Sequence, residues 1–103
     1  MSSVSVFIVN YNGGLFIKEC LDSLLKSQLS VPLEIIVFDN QSTDNSLDIL
    51  NSYKGKIKII KNYHNSGFSK GNNIASHYAN GDYYFLLNND TRVFSNTIQK
   101  LYD

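Results

Sequence analysis

Four short runs of apolar residues, each ended by polar turn-forming residues, constrain this fold more than any other feature of the sequence. They span residues 4–9, 33–38, 57–60 and 83–87. β-Branched and aromatic side chains dominate all four runs, which is typical of β-strands. The first, second and fourth runs are nearly continuous, as expected for strands covered on both faces in a parallel sheet. The third alternates Ile with Lys and is therefore predicted to be an edge strand with one face in water.

The segments between these runs have the periodicity of helices instead. The first helix is predicted over about residues 14–29, with an apolar side formed by Leu15, Ile17, Leu21, Leu24 and Leu25. The second is expected to begin at Ser42 or Thr43 as the N-cap, with Asp44 in its first turn.

Two further helices complete the alternation. One is predicted to begin near Ser69 and to end at Asn80 and Gly81, a pair that favours a left-handed C-cap. The other begins near Ser95. The order β-α-β-α-β-α-β-α predicts a single α/β domain over residues 1–103, with a doubly wound, Rossmann-like parallel sheet and right-handed crossovers.

Charge and cysteine content exclude several classes of protein. The chain has nine basic and nine acidic residues, whereas binding to nucleic acid phosphates needs a basic excess. Its single cysteine excludes an intrachain disulfide and a cysteine-based metal cluster, and fits a reducing compartment. No apolar run approaches the roughly 20 residues of a membrane span, and the first residues lack the charges of a signal peptide. A soluble cytoplasmic domain is therefore expected.

All four predicted strands end in polar residues. These follow at 10–14, 39–44, 62–68 and 88–91, and they include amides, carboxylates and aromatic rings. Because ligands bind beyond the carboxyl ends of the strands in doubly wound sheets, we expect these groups to meet at one edge. The combination suits a ligand with a flat ring, hydroxyl groups and a metal-bound phosphate.

Three familiar signatures are missing from these positions. Residues 12–15, NGGL, do not supply the GxGxxG of a dinucleotide site, and the chain has no P-loop sequence GxxxxGK[ST]. A phosphoacceptor signalling domain would carry clustered acids after the first strand, where Asn10 stands.

A different set of motifs fits the sequence. Residues 4–12, VSVFIVNYN, resemble the opening of the inverting glycosyltransferase family 2, which has the GT-A fold. Its second, third and fourth motifs resemble FDNQSTD at 38–44, NSGFSKGNN at 65–73 and GDYYFLLNNDT at 81–91. The GFS…GNN and LNNDT forms most resemble the rhamnosyltransferase-like branch. The resemblance implies the strand order 3-2-1-4 and the N-terminal, donor-binding half of the catalytic domain.

The resemblance also implies roles for particular residues. Tyr11 would stack on the donor base, and Asp39 would hydrogen-bond the base or its ribose, in keeping with the chemistry of a ring and a carboxylate. Further contacts to the nucleotide sugar would come from Asn10, Asn40, Gly67, Gly71, Asn72 and Asn89. Many related enzymes carry Arg where Asn72 stands. The alternatives are a half-buried aromatic for Tyr11 and a turn-stabilising carboxylate for Asp39.

Residues 88–90 occupy the place of the family's D-x-D metal motif. The resemblance makes Asp90 a ligand of Mg²⁺ or Mn²⁺, with Asn88 as an uncharged partner where the family has its first Asp. With one carboxylate, the metal is expected to bind mainly through the nucleotide diphosphate. The alternative is an Asn-rich turn with no metal. The general base that inverting transfer needs is expected outside this chain, since Asp82, Asp90 and Asp103 are poor substitutes for it.

The function implied by the resemblance is transfer of a sugar from a nucleotide-diphosphate donor, a dTDP- or UDP-sugar, to a glycan, lipid or polysaccharide acceptor in cell-surface polysaccharide biosynthesis. The full-length enzyme is expected in the cytoplasm or at the inner face of the membrane, and these 103 residues alone are expected to be inactive. An exposed apolar flank is predicted beside the fourth strand, through which the chain could self-associate. The alternative function is a non-catalytic nucleotide-binding or interaction module with the same fold.

Overall fold

The sheet predicted from the apolar runs is present in a computed structural model, which describes residues 3–62 and 81–102. Within those residues, four strands form one sheet: β1 (Val4–Asn10), β2 (Leu33–Asn40), β3 (Lys58–Asn62) and β4 (Tyr83–Asn88). Each neighbouring pair is parallel, and the order is β3-β2-β1-β4. The predicted α/β class and strand order are confirmed.

The described residues also form the helices α1 (Ile17–Leu25), α2 (Ser46–Asn51) and α3 (Thr97–Tyr102). α1 begins later than predicted because the N–H groups of Phe16 and Ile17 both donate to the carbonyl of Gly13, at 2.9 and 2.8 Å, and close a turn before the helix. Leu15 is consequently 89% exposed, so its predicted place on the apolar side is wrong. The side chains that α1 buries are those of Ile17, Cys20, Leu21 and Leu24.

α2 also begins later than predicted, at Ser46 rather than after a cap at Ser42 or Thr43. Ser42 does not cap this helix because its hydroxyl is hydrogen-bonded to the side chains of Asp39 and Asn10. The first helical turn therefore begins only after the chain has passed this contact.

The two later predicted helices have different outcomes. The helix expected near Ser95 is α3, which begins at Thr97. The helix expected near Ser69 lies outside the described residues. In the part of the chain that the structure describes, no helix is long and apolar enough to cross a bilayer.

Both faces of the central strands are covered. On one face, Val4, Val6 and Ile8 of β1 pack with apolar residues of β2 and of all three described helices. On the other face, Phe7 and Val9 pack with apolar residues of β2 and β3. The near-continuous apolar runs of β1 and β2 thus match strands that are dry on both faces, as predicted.

β4 departs from that pattern. Tyr84 and Leu86 are 55% and 58% exposed, whereas Phe85 and Leu87 are partly buried against the core. The prediction that this strand is covered on both faces is therefore wrong. The apolar flank expected beside it is present.

β3 is an outer strand of the sheet formed by the described residues. Lys58 Nζ lies 2.6 Å from Glu34 Oε2 on the neighbouring strand, and Lys61 is exposed. Charged side chains along an outer strand oppose pairing with another chain, so the predicted lysine-guarded edge is confirmed.

Candidate functional site

The strand order places the carboxyl ends of β1, β2 and β4 side by side. Asn10 is in register with Asp39 of β2, and Val9 is in register with Asn88 of β4. The sheet extends from β1 to β2 and β3 on one side and to β4 on the other, so a topological switch point lies between β1 and β4. Ligands of open α/β sheets bind at such a point, which makes this edge the candidate site.

A buried network of hydrogen bonds joins the ends of β1 and β2. Asn10 is fully buried and Asp39 is 1% exposed. Asn10 Nδ2 donates to Asp39 Oδ1 at 2.9 Å and to Ser42 Oγ at 3.2 Å. Ser42 donates to the same carboxylate twice, from its hydroxyl to Oδ1 at 2.7 Å and from its N–H to Oδ2 at 3.0 Å. Three donors therefore compensate the burial of this carboxylate.

The carboxamide of Asn10 also reaches the end of β4. Asn89 Nδ2 donates to Asn10 Oδ1 at 3.0 Å. Asn10 thus uses its NH₂ group toward β2 and its oxygen toward β4, and the second bond crosses the switch point.

Asn12 joins the loops that follow β1 and β2. Its backbone has φ of 51°, in the left-handed region that Asn adopts more readily than most residues. Asn12 Oδ1 accepts the N–H groups of Thr43 and Asp44, at 2.7 and 3.2 Å, and its own N–H donates to Ser42 Oγ at 2.9 Å. The protein's own hydrogen bonds therefore hold the two loops together.

Two glycines allow this close approach. A Cβ at Gly13 would overlap the side chains of Asn89 and Asn10, and a Cβ at Gly14 would overlap those of Asn45 and Asp44. The absence of a side chain is the property that both positions need.

Asp44 bridges the same two loops. Its Oδ2 accepts the N–H of Gly14 at 2.9 Å, and its Oδ1 accepts the N–H of Ser46 at 2.9 Å and also the Ser46 hydroxyl. Desolvation acts to raise the pKa of Asp44, but these hydrogen bonds outweigh it and hold the pKa below its usual value. Asp44 thus supports the start of α2, but its predicted place in the first helical turn is wrong, because it precedes the N-cap Asn45.

The predicted metal ligands lie where β4 ends in a turn. The Thr91 N–H donates to the Asn88 carbonyl at 3.0 Å, and both Asn88 and Asp90 are exposed. Carboxylate and amide oxygens are the hard ligands that Mg²⁺ and Mn²⁺ prefer. Among residues 3–62 and 81–102, no three His, Cys, Asp or Glu side chains come together in a way that could hold a metal. The turn itself offers such an ion one carboxylate, Asp90, and one amide oxygen, Asn88.

Cys20 lies behind this turn. Its Sγ is 3.9 Å from the Asn88 carbonyl oxygen. Burial and, to a smaller extent, the negative charge of Asp90 raise the pKa of the thiol to about 11. Because the thiolate is the form that attacks substrates and binds metals, Cys20 belongs to the core.

The remaining predicted contacts differ in accessibility. Tyr11 is 49% exposed at the end of β1, whereas Asn40 at the end of β2 is 2% exposed. Gly67, Gly71 and Asn72 lie outside the described residues.

The sequence analysis missed the roles of Ser42 and Asn12. Serine is a residue type that is common at helix N-caps. Nothing in the local sequence of Ser42 shows whether its hydroxyl caps a helix or contacts a buried carboxylate. The signal for Asn12 was present, because an Asn followed by two glycines after a strand favours a left-handed turn.

The sequence and structure were compared with known proteins. The model of the family described as glycosyl transferase family 2 matches residues 5–103. A poly(ribitol-phosphate) beta-glucosyltransferase of Bacillus spizizenii is 35% identical over 105 residues, which cover 97% of this chain and 17% of that protein.

Solved structures of glycosyltransferases also match the fold of this chain. Staphylococcus aureus TarS 1–349 in complex with UDP-GlcNAc superposes with a TM-score of 0.87 at 30% identity, covering 97% of this chain and 30% of that one. The mannosyltransferase PcManGT of Pyrobaculum calidifontis, in complex with GDP-Man and Mn²⁺, shares the fold with a TM-score of 0.83 at 22% identity, covering 92% of this chain and 30% of that one. The chain spans less than a third of the length of each of these proteins.

Proposed function

This chain belongs to glycosyl transferase family 2, and on that basis we propose that it forms the donor-binding part of an enzyme that transfers a sugar from a nucleoside-diphosphate donor to a glycan or polysaccharide acceptor. The observation that carries the proposal is the hydrogen-bonded set Asp39, Asn10 and Asn89 at the β1–β4 switch point. It puts the proposed nucleotide contact next to the proposed metal-binding turn.

Asp39 is the proposed contact to the base or ribose. A carboxylate has about four acceptor positions, and the network occupies two on Oδ1 and one on Oδ2. The other position on Oδ2 accepts no hydrogen bond from the described residues, and because Asp39 is 1% exposed, the loops beside it would have to move for a ligand N–H or O–H to reach it. Tyr11, half exposed at the same edge, would supply the stacking surface.

We propose a UDP-sugar as the donor, with a dTDP-sugar as the second choice. The support is the structure of TarS, which is 30% identical to this chain and was solved with UDP-GlcNAc. The name of the Bacillus relative, a poly(ribitol-phosphate) beta-glucosyltransferase, supports a polymer as the acceptor.

Asp90, with Asn88, would hold a divalent metal ion together with the donor diphosphate. When bound, such an ion offsets the negative charge that develops on the leaving diphosphate. The chain's own contribution is one carboxylate on an exposed turn. The general base of an inverting transfer is proposed to lie outside this chain, so these 103 residues should bind donor without turning it over.

The test is a calorimetric titration of the chain with UDP, dTDP and GDP, each with and without Mn²⁺. We expect one diphosphate to bind, tighter by about tenfold when Mn²⁺ is present, with this gain lost in Asp90→Ala. Asp39→Asn should weaken binding with or without metal. Asp82→Ala is the matched control, because that carboxylate accepts the Ser3 N–H at the opposite edge of the sheet.

Two outcomes would contradict the proposal. One is a folded chain that binds none of the three nucleotides. The other is binding that neither Asp39→Asn nor Asp90→Ala alters. Nucleotide binding without any effect of metal would instead favour the non-catalytic module.

A further inference from the structure

The structure assigns Asn10 as a positioning residue: it couples the carboxylate of Asp39 to the turn after β4 through Asn89, so that nucleotide and metal are bound as one unit. This inference rests on the proposed function. It also gives Asn10 a role different from the donor contact implied by the family resemblance.

The carboxamide of Asn10 is not accessible to a ligand, because its side chain is fully buried. Its NH₂ group donates to the adjacent acceptors Asp39 Oδ1 and Ser42 Oγ. Its oxygen accepts the N–H of Asn89 at 3.0 Å. Asn10 can therefore influence the ligand only through these neighbours.

The direction of these bonds makes them interdependent. A carboxylate that accepts from one end of an amide polarises that amide and strengthens the acceptor at the other end. The buried charge of Asp39 thus favours the bond from Asn89 to Asn10. Since Asn89 adjoins the proposed metal ligands Asn88 and Asp90, engagement of Asp39 by a nucleotide acts on the position of the metal-binding turn.

The same strand provides a matched control. Ser5 of β1 is also fully buried. Its hydroxyl donates to Glu34 Oε1 at 2.9 Å and accepts the Gly81 N–H at 2.8 Å. It therefore links β1 to β2 and to the segment before β4, whereas Asn10 links β1 to β2 and to the turn after β4. The edge of the sheet at Ser5 holds no proposed ligand. Ser5→Ala removes a comparable structural bridge without touching the site.

The experiment measures the dissociation constant of UDP with and without Mn²⁺, and takes the ratio of the two as the metal dependence. We expect Asn10→Ala to bring a wild-type ratio of about ten down to nearly one, because the two sites lose their connection. Ser5→Ala should leave the ratio unchanged even where it lowers the unfolding midpoint as much as Asn10→Ala does.

A second variant tests the same hydrogen bond in case Asn10→Ala does not fold. Asn89→Ala breaks the same bridge from a partly exposed side chain. It should lower the metal dependence of UDP binding as Asn10→Ala does.

The outcomes separate this inference from the proposed function. The positioning role is overturned if Asn10→Ala or Asn89→Ala keeps the metal dependence of UDP binding seen in the wild type. It is also overturned if Ser5→Ala loses that metal dependence to the same extent. Either result leaves the proposed function standing. A folded wild-type chain that binds none of UDP, dTDP and GDP overturns both. Binding of UDP with a wild-type ratio of one overturns the coupling and the metal site together.

Discussion

Asp44 Oδ2 accepts the backbone N–H of Gly14 at 2.9 Å and so joins the loop after β1 to the loop after β2. The same carboxylate accepts from Ser46 at the start of α2. One acidic side chain therefore fixes the spacing of two loops and the entry into a helix.

The first prediction concerns the loss of this carboxylate. Asp44→Ala should lower the free energy of unfolding by about 1 kcal/mol, the usual cost of removing a helix-start acceptor. Because hydrogen bonds hold the pKa of Asp44 below its usual value despite desolvation, its contribution is present above about pH 4 and is lost as the pH falls through the folded-state pKa. Urea unfolding of wild type and Asp44→Ala from pH 2 to 7 should show the two curves converging in acid. Asp48→Ala, in the first turn of α2, is the control, and a constant gap between the curves would contradict the prediction.

The second prediction tests the close approach at Gly13. Gly13→Ala places a methyl group against the side chains of Asn89 and Asn10, so we expect it to separate them and to abolish the effect of Mn²⁺ on UDP binding. Gly55→Ala is the control, because Gly55 has φ of 93° and nothing within 4 Å of its missing Cβ. The control should lose about 1 kcal/mol of stability from backbone strain alone. Equal effects of the two variants on UDP binding would count against the prediction.

The third prediction concerns a contact far from the site. The Tyr53 hydroxyl donates to Asp22 Oδ1 at 2.5 Å, and burial, followed by this bond, raises the pKa of Tyr53 to about 12. The stabilisation is present below pH 10 and is lost as the pH rises toward 12, because the unfolded phenol ionises first. Tyr53→Phe should cost about 1 kcal/mol and remove one late-titrating phenol from the ultraviolet titration. Tyr84→Phe is the control: it keeps the ring that stacks on Phe7 and should leave the late-titrating phenol in place. If that phenol disappears in Tyr84→Phe, its assignment to Tyr53 is wrong.

The fourth prediction uses Cys20 to report the position of Asp90. The pKa of the Cys20 thiol is raised to about 11, first by burial and then by the charge of Asp90. Asp90→Asn should lower this pKa but leave it above 9, the ordinary value, because burial persists. The ¹³Cβ shift of Cys20, followed by NMR against pH, measures it directly. An unchanged titration in Asp90→Asn would mean that the carboxylate lies farther from the thiol.

The fifth prediction addresses the apolar flank of β4. Leu86 is 58% exposed, so Leu86→Lys should change the free energy of unfolding by less than about 0.5 kcal/mol. A lysine on an outer strand should reduce any self-association seen by sedimentation at high concentration. Leu15→Lys, at a side chain 89% exposed in the segment between β1 and α1, is the control. Self-association that survives Leu86→Lys would place the contact elsewhere.

The order of the strands is implied by the family resemblance, whereas the strands themselves could be predicted because β-branched runs and their polar ends are local signals. The starts of α1 and α2 could not. The start of α1 depends on the carbonyl of Gly13, which accepts the N–H groups of Phe16 and Ile17. The start of α2 depends on Ser42, whose hydroxyl donates to Asp39 instead of capping the helix. The burial of Asp39 in turn depends on the whole sheet. For the same reason the sequence alone cannot tell whether Asn10 faces a ligand or a neighbour, since that depends on its register with Asp39 and on Asn89.

Ser5 and Asn10 also bear on how β1 finds its place in the sheet. A strand that is apolar on both faces carries little information about register, because sliding it by one or two residues still buries apolar side chains. Ser5 shares a face with Phe7, whereas Asn10 shares the opposite face with Ile8. Any slip would take both away from their partners and leave polar groups buried without hydrogen bonds, at a cost of about 1–3 kcal/mol for each group. The two polar residues near the ends of β1 thus provide the alignment signal that its apolar centre lacks.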